Sequence, residues 1–210
     1  MTGGQLTLFV DGYFANPFDA TCFITLTEKQ LPFSFARALL RDGQGLPPGL
    51  ATRTAISRVP ALQHGDFVLT ESLAIADYLE DTFPTPHVFP VDPRGRARAR
   101  QIMAWIRFDL RDLRWERPWW TTIYPATLAP LTPTARKEAQ ELVDVTGRLL
   151  AQGDLDTWSI AHADLALTVS RIRDDDVPIP DRVRAFRDHV YARPSVRAYT
   201  EHPRPPNPPP

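Results

Sequence analysis

The sequence predicts a small α/β domain followed by an all-α domain. Three observations predict it. Two short apolar runs flank a glycine turn at His64-Gly65-Asp66, and a capped helix pattern follows at once. A stretch with four prolines over residues 83–94 then interrupts the pattern. Beyond it the composition shifts to long helical periodicities, with Ile102, Ile106, Leu110 and Leu113 on the clearest face.

Residues 5–10 are a compact apolar run of β-formers and read as a first strand. Turn residues fill 11–16. Pro17 stands at a first helical position, where its missing N–H costs nothing. Phe18, Cys22, Leu26 and Lys29 share a face, so a helix runs over 17–29. Pro32 stops it, and 33–39 reads as a second strand. A loop with two prolines spans 43–49, and 51–56 holds a short second helix. Residues 56–62 and 67–70 form the hairpin. Ser72 then caps a third helix carrying Leu73, Ile75, Ala76 and Leu79. The order is βαβαββα.

In the second part, Arg117-Pro118 ends or kinks the helix built around Ile102. Residues 119–130 carry aromatic rings without a period. Thr132 caps a helix with Pro133 at its first position, and Ala135, Ala139, Leu142, Leu149 and Leu150 form its stripe. Leu165, Val169 and Ile172 mark the next helix, and Val183, Phe186 and Val190 another. Arg193-Pro194-Ser195-Val196 opens a last short one. The expected limits are 5–84 for the α/β domain, 85–95 for a linker and 96–202 for the helical domain. Residues 203–210 are mostly proline and are expected to pack no core.

The 210 residues carry 43% hydrophobic and 23% charged side chains, the balance of a globular chain. A formal charge of −1 favours neither nucleic acid nor an anionic membrane as partner. No apolar run approaches the ~20 residues of a membrane-spanning helix. Met1-Thr2-Gly3-Gly4 lacks the basic and apolar regions of a leader, so a cytoplasmic protein is expected. The single cysteine, Cys22, excludes an internal disulfide, a CxxC redox pair and a cysteine zinc site, and it falls on the apolar face of the first helix. The histidines share no metal-binding spacing, and no metal is expected.

Two features surround the hairpin. Val59-Pro60 precedes its first strand, and Glu71-Ser72 opens the following helix. This arrangement resembles the glutathione-binding core of the glutathione S-transferases. In that family a Val-Pro dipeptide before the third strand carries a cis peptide bond, which only X-Pro adopts at low cost. The resemblance implies a thioredoxin-like topology for the first domain. It implies that the backbone of Val59, beside Pro60, pairs with an extended tripeptide. Ser72 and the helix N-terminus would take a carboxylate, and Glu71 an ammonium group. The γ-glutamyl end of glutathione carries both charges. The likeness covers roughly residues 5–200. Trp158-Ser159-Ile160-Ala161 with Asp164-Leu165-Ala166-Leu167 resembles the segment that opens the family's core helix. Within the family, residues 97–102 and Glu116-Arg117-Pro118 look like the bacterial YfcF-like branch.

The chain departs from the family pattern at two places. The YfcF-like pattern has Ser-Pro where this chain has Asn16-Pro17, and no cysteine stands there. To ionise at neutral pH, a thiol with a pKa of about 8.5 must fall by roughly two units, or about 2.7 kcal/mol. A helix N-terminus supplies roughly 0.3–1 kcal/mol, up to about 2 when partly buried. A hydrogen bond to a charged partner supplies about 1.5–3. The sum is sufficient, so Asn16 is a candidate thiolate donor as well as a helix cap. Tyr13 and Thr21 are the substitute hydroxyls. The second departure is His162, three residues after Ser159, where the family has Asp. The reciprocal capping bond is expected to be weak or absent.

Trp115, Trp119, Trp120 and Tyr124 cluster after the long helix, in the region from which the family builds its electrophile pocket. They suit either core packing or that pocket, with Phe14 facing it and Arg111 along the cleft. The resemblance thus implies a cytosolic, homodimeric glutathione transferase, with glutathione as co-substrate. Its bound thiolate would attack a small hydrophobic electrophile or reduce a hydroperoxide. A non-catalytic glutathione-binding or regulatory protein and a glutathione-dependent isomerase are the alternatives.

Overall fold

The computed structural model describes residues 4–38 and 46–206. The chain divides into two compact units, one of Phe89–Glu201 and the other of Met1–Val88 together with His202–Pro210.

The first unit runs β1 (Leu6–Asp11), α1 (Pro17–Glu28), β2 (Phe33–Ala38), α2 (Pro48–Ala51), β3 (Ala61–His64), β4 (Phe67–Thr70) and α3 (Ser72–Thr82). The sheet order is β2-β1-β3-β4. β1 and β2 are parallel, which needs a crossover, and α1 supplies it. β3 is antiparallel to both β1 and β4. Gly65, with φ +61°, takes the first central position of the two-residue turn between β3 and β4, where a left-handed backbone is required. Alternation in β1 buries Leu6, Leu8 and Val10 on one face. On the other, Phe9 joins Ala38, Leu46, Val59, Ala61 and Val68.

The short second helix lies at Pro48–Ala51, not over 51–56. The two prolines that read as loop residues set its first turn instead. Pro48 is pre-organised at the first position, and the Leu50 and Ala51 N–H groups donate to Pro47 O at 2.8 and 2.9 Å. Leu39 and residues 43–45 of the sequence reading lie outside the described residues.

Lys29 ends α1 as a buried cation. Its ammonium donates to Phe83 O (2.7 Å) and Pro86 O (3.0 Å) and pairs with Glu80 Oε2 at 2.6 Å. Glu80 also accepts from the Val88 N–H and contacts His87 Nδ1. Burial alone would push the Glu80 carboxyl up. The bonds from Lys29, Val88 and His87 more than reverse this and hold it below the usual range.

The second unit contains α4 (Pro93–Phe108), α5 (Arg111–Glu116), a 3₁₀ turn (Trp119–Thr122), α6 (Pro133–Gln152), α7 (Ile160–Val169), α8 (Asp181–Tyr191) and α9 (Pro194–Thr200). The helix expected to run to Arg117 is broken at Asp109-Leu110. Glu138 of α6 accepts from the Leu113 N–H at 2.7 Å and so replaces an intrahelical partner at the start of α5. Thr132 caps α6 through the Ala135 N–H (3.3 Å). Gly153, φ +76°, ends it. Every residue of α7 is buried, which makes it the core helix of this unit. Its cap corrects the sequence reading. His162 Nδ1 accepts from the Ser159 N–H at 3.1 Å, so the reciprocal bond is present with imidazole in place of carboxylate. Nε2 then carries the proton and donates to Leu155 O at 3.0 Å. Burial lowers this imidazole's pKa and keeps Nδ1 an acceptor.

The proline-rich tail is tied down by hydrogen bonds. Arg37 Nη2 donates to Pro203 O and Arg204 Nε to Phe14 O, each at 2.9 Å. Residues 202–204 are thus held within the first unit by polar bonds and the His202 ring, which the proline content of the segment does not reveal. Residues 207–210 lie outside the described part. Among the described residues, no helix is long and apolar enough to cross a membrane.

Candidate functional site

The strand register brings the 11–16 loop, Val59-Pro60 and Glu71-Ser72 to one end of the sheet. Phe9 of β1 faces Ala61 of β3, and Ala61 faces Thr70 of β4. The chain leaves β1 into the 11–16 loop, enters β3 from Val59-Pro60, and leaves β4 into Glu71-Ser72. All three connections therefore lie at the same sheet end.

The Val59-Pro60 peptide is cis, as the motif led us to expect, and Thr85-Pro86 is cis as well. Val59 is buried, and the β3 ladder begins two residues later, at Ala61. Glu71 has a left-handed backbone, φ 71° and ψ 112°. For a non-glycine residue this costs of order 1–3 kcal/mol, and such strain collects at functional sites. It turns the chain sharply between β4 and α3, leaving the Glu71 side chain 52% exposed and Ser72 buried at the first position of α3. Arg58 Nη1 lies 3.4 Å from Glu71 Oε1. No sequence signal marked Arg58, since the pair joins an irregular segment to a helix cap.

The β1–α1 loop is built around Asp11. Its carboxylate accepts from the Tyr13 N–H (2.8 Å) and the Ala15 N–H (2.9 Å), and its carbonyl from the Phe14 N–H (3.1 Å). The Asp11 N–H donates to Asp19 Oδ2 at 2.6 Å. Asp19 is fully buried, and its Oδ1 meets no hydrogen-bond partner. Burial, and then the Asp11 carboxylate, raise its pKa well above the usual range. Sequence reading passed over both aspartates. Asn16 caps α1, its Oδ1 accepting from the Phe18 N–H at 3.0 Å. That bond turns the acceptor half of the amide toward the helix and the donor half away from it.

The substitute hydroxyls fare differently. Thr21 is fully buried and donates to Pro17 O at 3.3 Å. Tyr13 is half-buried. Phe14 is fully buried and left-handed (φ 54°), packed against Phe23, Phe35 and His202, so its ring is a core element and lines no open cleft. Cys22 is buried within α1.

In the second unit the predicted aromatic set is dispersed. Trp115 is 84% exposed, Trp120 is half-buried, and Trp119 and Tyr124 are buried. Arg111 is exposed. Trp119 packs on Tyr199 and lines a cavity of about 620 Å³ with Thr122, Ser170, Arg187 and Tyr191. A helical pattern gives the face of a ring but not its exposure once the helix is broken. Among the described residues, no three His, Cys, Asp or Glu side chains come together as a metal site.

Comparison with known proteins gives the family. The model for the glutathione S-transferase N-terminal domain matches residues 12–87, and that for the C-terminal domain matches residues 92–202. Human glutathione S-transferase theta-1 is 33% identical over 130 residues, 61% of this chain and 54% of that protein. Maleylpyruvate isomerase from Ralstonia sp. is 32% identical over 90 residues, 43% of this chain and 42% of its own length. The chain spans about half the length of the curated relatives it matches. A crystal structure of a glutathione transferase homolog from Burkholderia gl BGR1, with bound glutathione, is 30% identical. It has a TM-score of 0.73, with 94% of this chain and 96% of that one covered. The chain belongs to the glutathione S-transferase family.

Proposed function

We propose that this chain binds glutathione at the common end of β1, β3 and β4 and uses the bound thiolate to attack a small electrophile. The observation that carries this reading is the register Phe9–Ala61–Thr70, which sets Asn16, Val59 and Glu71-Ser72 around one sheet end. The tripeptide would run extended along Val59, whose backbone lies outside the β3 ladder. Its γ-glutamyl carboxylate would meet Ser72 and the first-turn N–H groups of α3. Its ammonium would meet Glu71. The Arg58–Glu71 pair does not stand in the way. Both side chains are more than half exposed, and such pairs are worth about 0–1 kcal/mol. The sulfur would lie at the N-terminus of α1, facing the donor half of the Asn16 amide. Thr21, buried and bonded into its own helix, drops out as a substitute, and Tyr13 remains.

The same thiolate would reduce an organic hydroperoxide. The resemblance of residues 97–102 and 116–118 supports the YfcF-like branch, and family membership supports a cytoplasmic homodimer. A glutathione-dependent isomerase is the second reading, favoured by the isomerase relative from Ralstonia sp.. A product assay on cis-enediones separates the two, because an isomerase leaves glutathione unconsumed. A non-catalytic glutathione-binding protein is the third, favoured by the amide of Asn16 where the family has a hydroxyl or thiol.

Calorimetric titration with glutathione tests the site. Removing one hydrogen bond to a charged group, by Ser72→Ala or Glu71→Gln, weakens binding about 10–100-fold. Undiminished affinity in both variants would remove the site from this sheet end.

A further inference from the structure

Within the first unit, the C-terminal segment at His202–Arg204 contacts β2, α1 and the β1–α1 loop, and Phe14 of that loop meets both His202 and Arg204. The His202 ring lies 4.6 Å from that of Phe14, 5.1 Å from Phe35 and 6.3 Å from Phe23. Arg37 of β2 donates to Pro203 O at 2.9 Å. Arg204 Nε donates to Phe14 O at 2.9 Å, with its guanidinium carbon 5.6 Å from the Phe14 ring centroid. Arg204 Nη1 also closes back on His202 O at 2.7 Å, which fixes the side chain on its own segment. Pro203 and Pro205 flank Arg204 and restrict φ, so the segment gives up little backbone freedom when it docks.

The loop explains why a cation at this carbonyl matters. The N–H groups of Tyr13, Phe14 and Ala15 all turn inward to Asp11. The left-handed backbone at Phe14 turns its carbonyl to the Arg204 side chain instead. Asn16, which caps α1, follows two residues later. The loop is thus held from inside by a carboxylate and from outside by a guanidinium carried by the far end of the chain.

We propose that His202–Arg204 is a clasp on the β1–α1 loop, and that Arg204 is a positioning residue for Asn16, acting through the Phe14 carbonyl. The positioning role rests on the glutathione reading above. The clasp itself does not.

The full-length chain and its Arg204→Ala and Arg204→Lys variants test the proposal by two readouts. The first is amide hydrogen exchange in the 11–18 segment of the ligand-free protein. Loss of the clasp speeds it about tenfold or more in Arg204→Ala, while thermal stability stays close to that of the parent. The second is the thiol pKa of bound glutathione, which rises by about one unit in Arg204→Ala and returns partway in Arg204→Lys. Arg37→Ala removes a different anchor and gives a second route to the same loosening should Arg204→Ala unfold. Unchanged exchange in both alanine variants overturns the clasp. Faster exchange with an unmoved thiol pKa overturns the positioning role. A parent protein that binds glutathione with an ordinary thiol pKa overturns the transferase reading and the positioning role together, and the exchange data still decide the clasp.

Discussion

Replacing Lys29 with Met tests a buried polar cluster of the first unit. The Lys29 side chain is fully buried and that of Glu80 is 7% exposed. The three ammonium hydrogens are taken by Glu80, Phe83 O and Pro86 O, so the group is satisfied only in this arrangement. Lys29→Met keeps an unbranched apolar stem, one atom shorter, but takes the ammonium from a buried carboxylate and the donor from two carbonyls. Breaking a buried pair from one side costs about 3–5 kcal/mol. For a chain of this size that lowers Tm by roughly 6–20 °C. The pH dependence supplies a sharper test. In the parent the Glu80 carboxyl is held below its ordinary value. Its stabilisation is therefore present above about pH 4.3 and is lost as pH falls through the lower folded value. Without Lys29, burial pushes the carboxyl up, and stability then falls as pH rises from about 4.3. Adding Glu80→Gln recovers part of the loss, because a neutral amide still accepts from the Val88 N–H and leaves no buried charge. Thermal and urea unfolding between pH 4 and 8 reads all three. A single-variant loss below about 1 kcal/mol, the range of exposed pairs, would refute the argument.

Asp19→Asn is expected to be tolerated at neutral pH. The Asp19 carboxyl is raised by burial and by Asp11, so the parent loses stability as pH climbs from about 3.9 toward the raised value, and the variant lacks that slope. Urea midpoints across this range show it, and parallel pH profiles would contradict it. His202 is lowered by burial and then by Arg37 and Arg204. Docking of the tail is therefore strongest above about pH 6.5 and weakens as pH falls through the lower folded value. An NMR titration of its ring should move back toward the ordinary value in Arg37→Ala. His202→Phe keeps the ring packing and should make the exchange protection of the 11–18 segment independent of this titration.

The sequence disclosed those parts of the fold whose causes are local. Thr132-Pro133 starts α6 and Asn16-Pro17 starts α1, because caps and first-turn prolines act within a few residues. Val59-Pro60 and Glu71-Ser72 were legible as a pair around a hairpin. The features that escaped are nonlocal. Lys29 shares the apolar face of α1 in the sequence, but its partners, Glu80 and the Phe83 and Pro86 carbonyls, lie more than 50 residues away. The break before α5 depends on Glu138, which lies 25 residues beyond Leu113. The left-handed Phe14 carries no glycine signal, and its partner, Arg204, is 190 residues away. The aromatic set of the second unit was least legible, since rings that cluster in sequence, Trp115 to Tyr124, scatter between core and surface once the helix breaks.

The central claim is that the N-terminus of α1 and Asn16 together ionise a bound thiol. The most direct measurement is the ultraviolet thiolate absorbance of glutathione bound to this protein, titrated against pH in the parent and in Asn16→Ala. The account predicts a bound-thiol pKa about two units below that of free thiol, moving back by about one unit or more in the variant. Saturated binding with an ordinary thiol pKa in the parent would contradict it and leave a glutathione-binding protein without transferase chemistry.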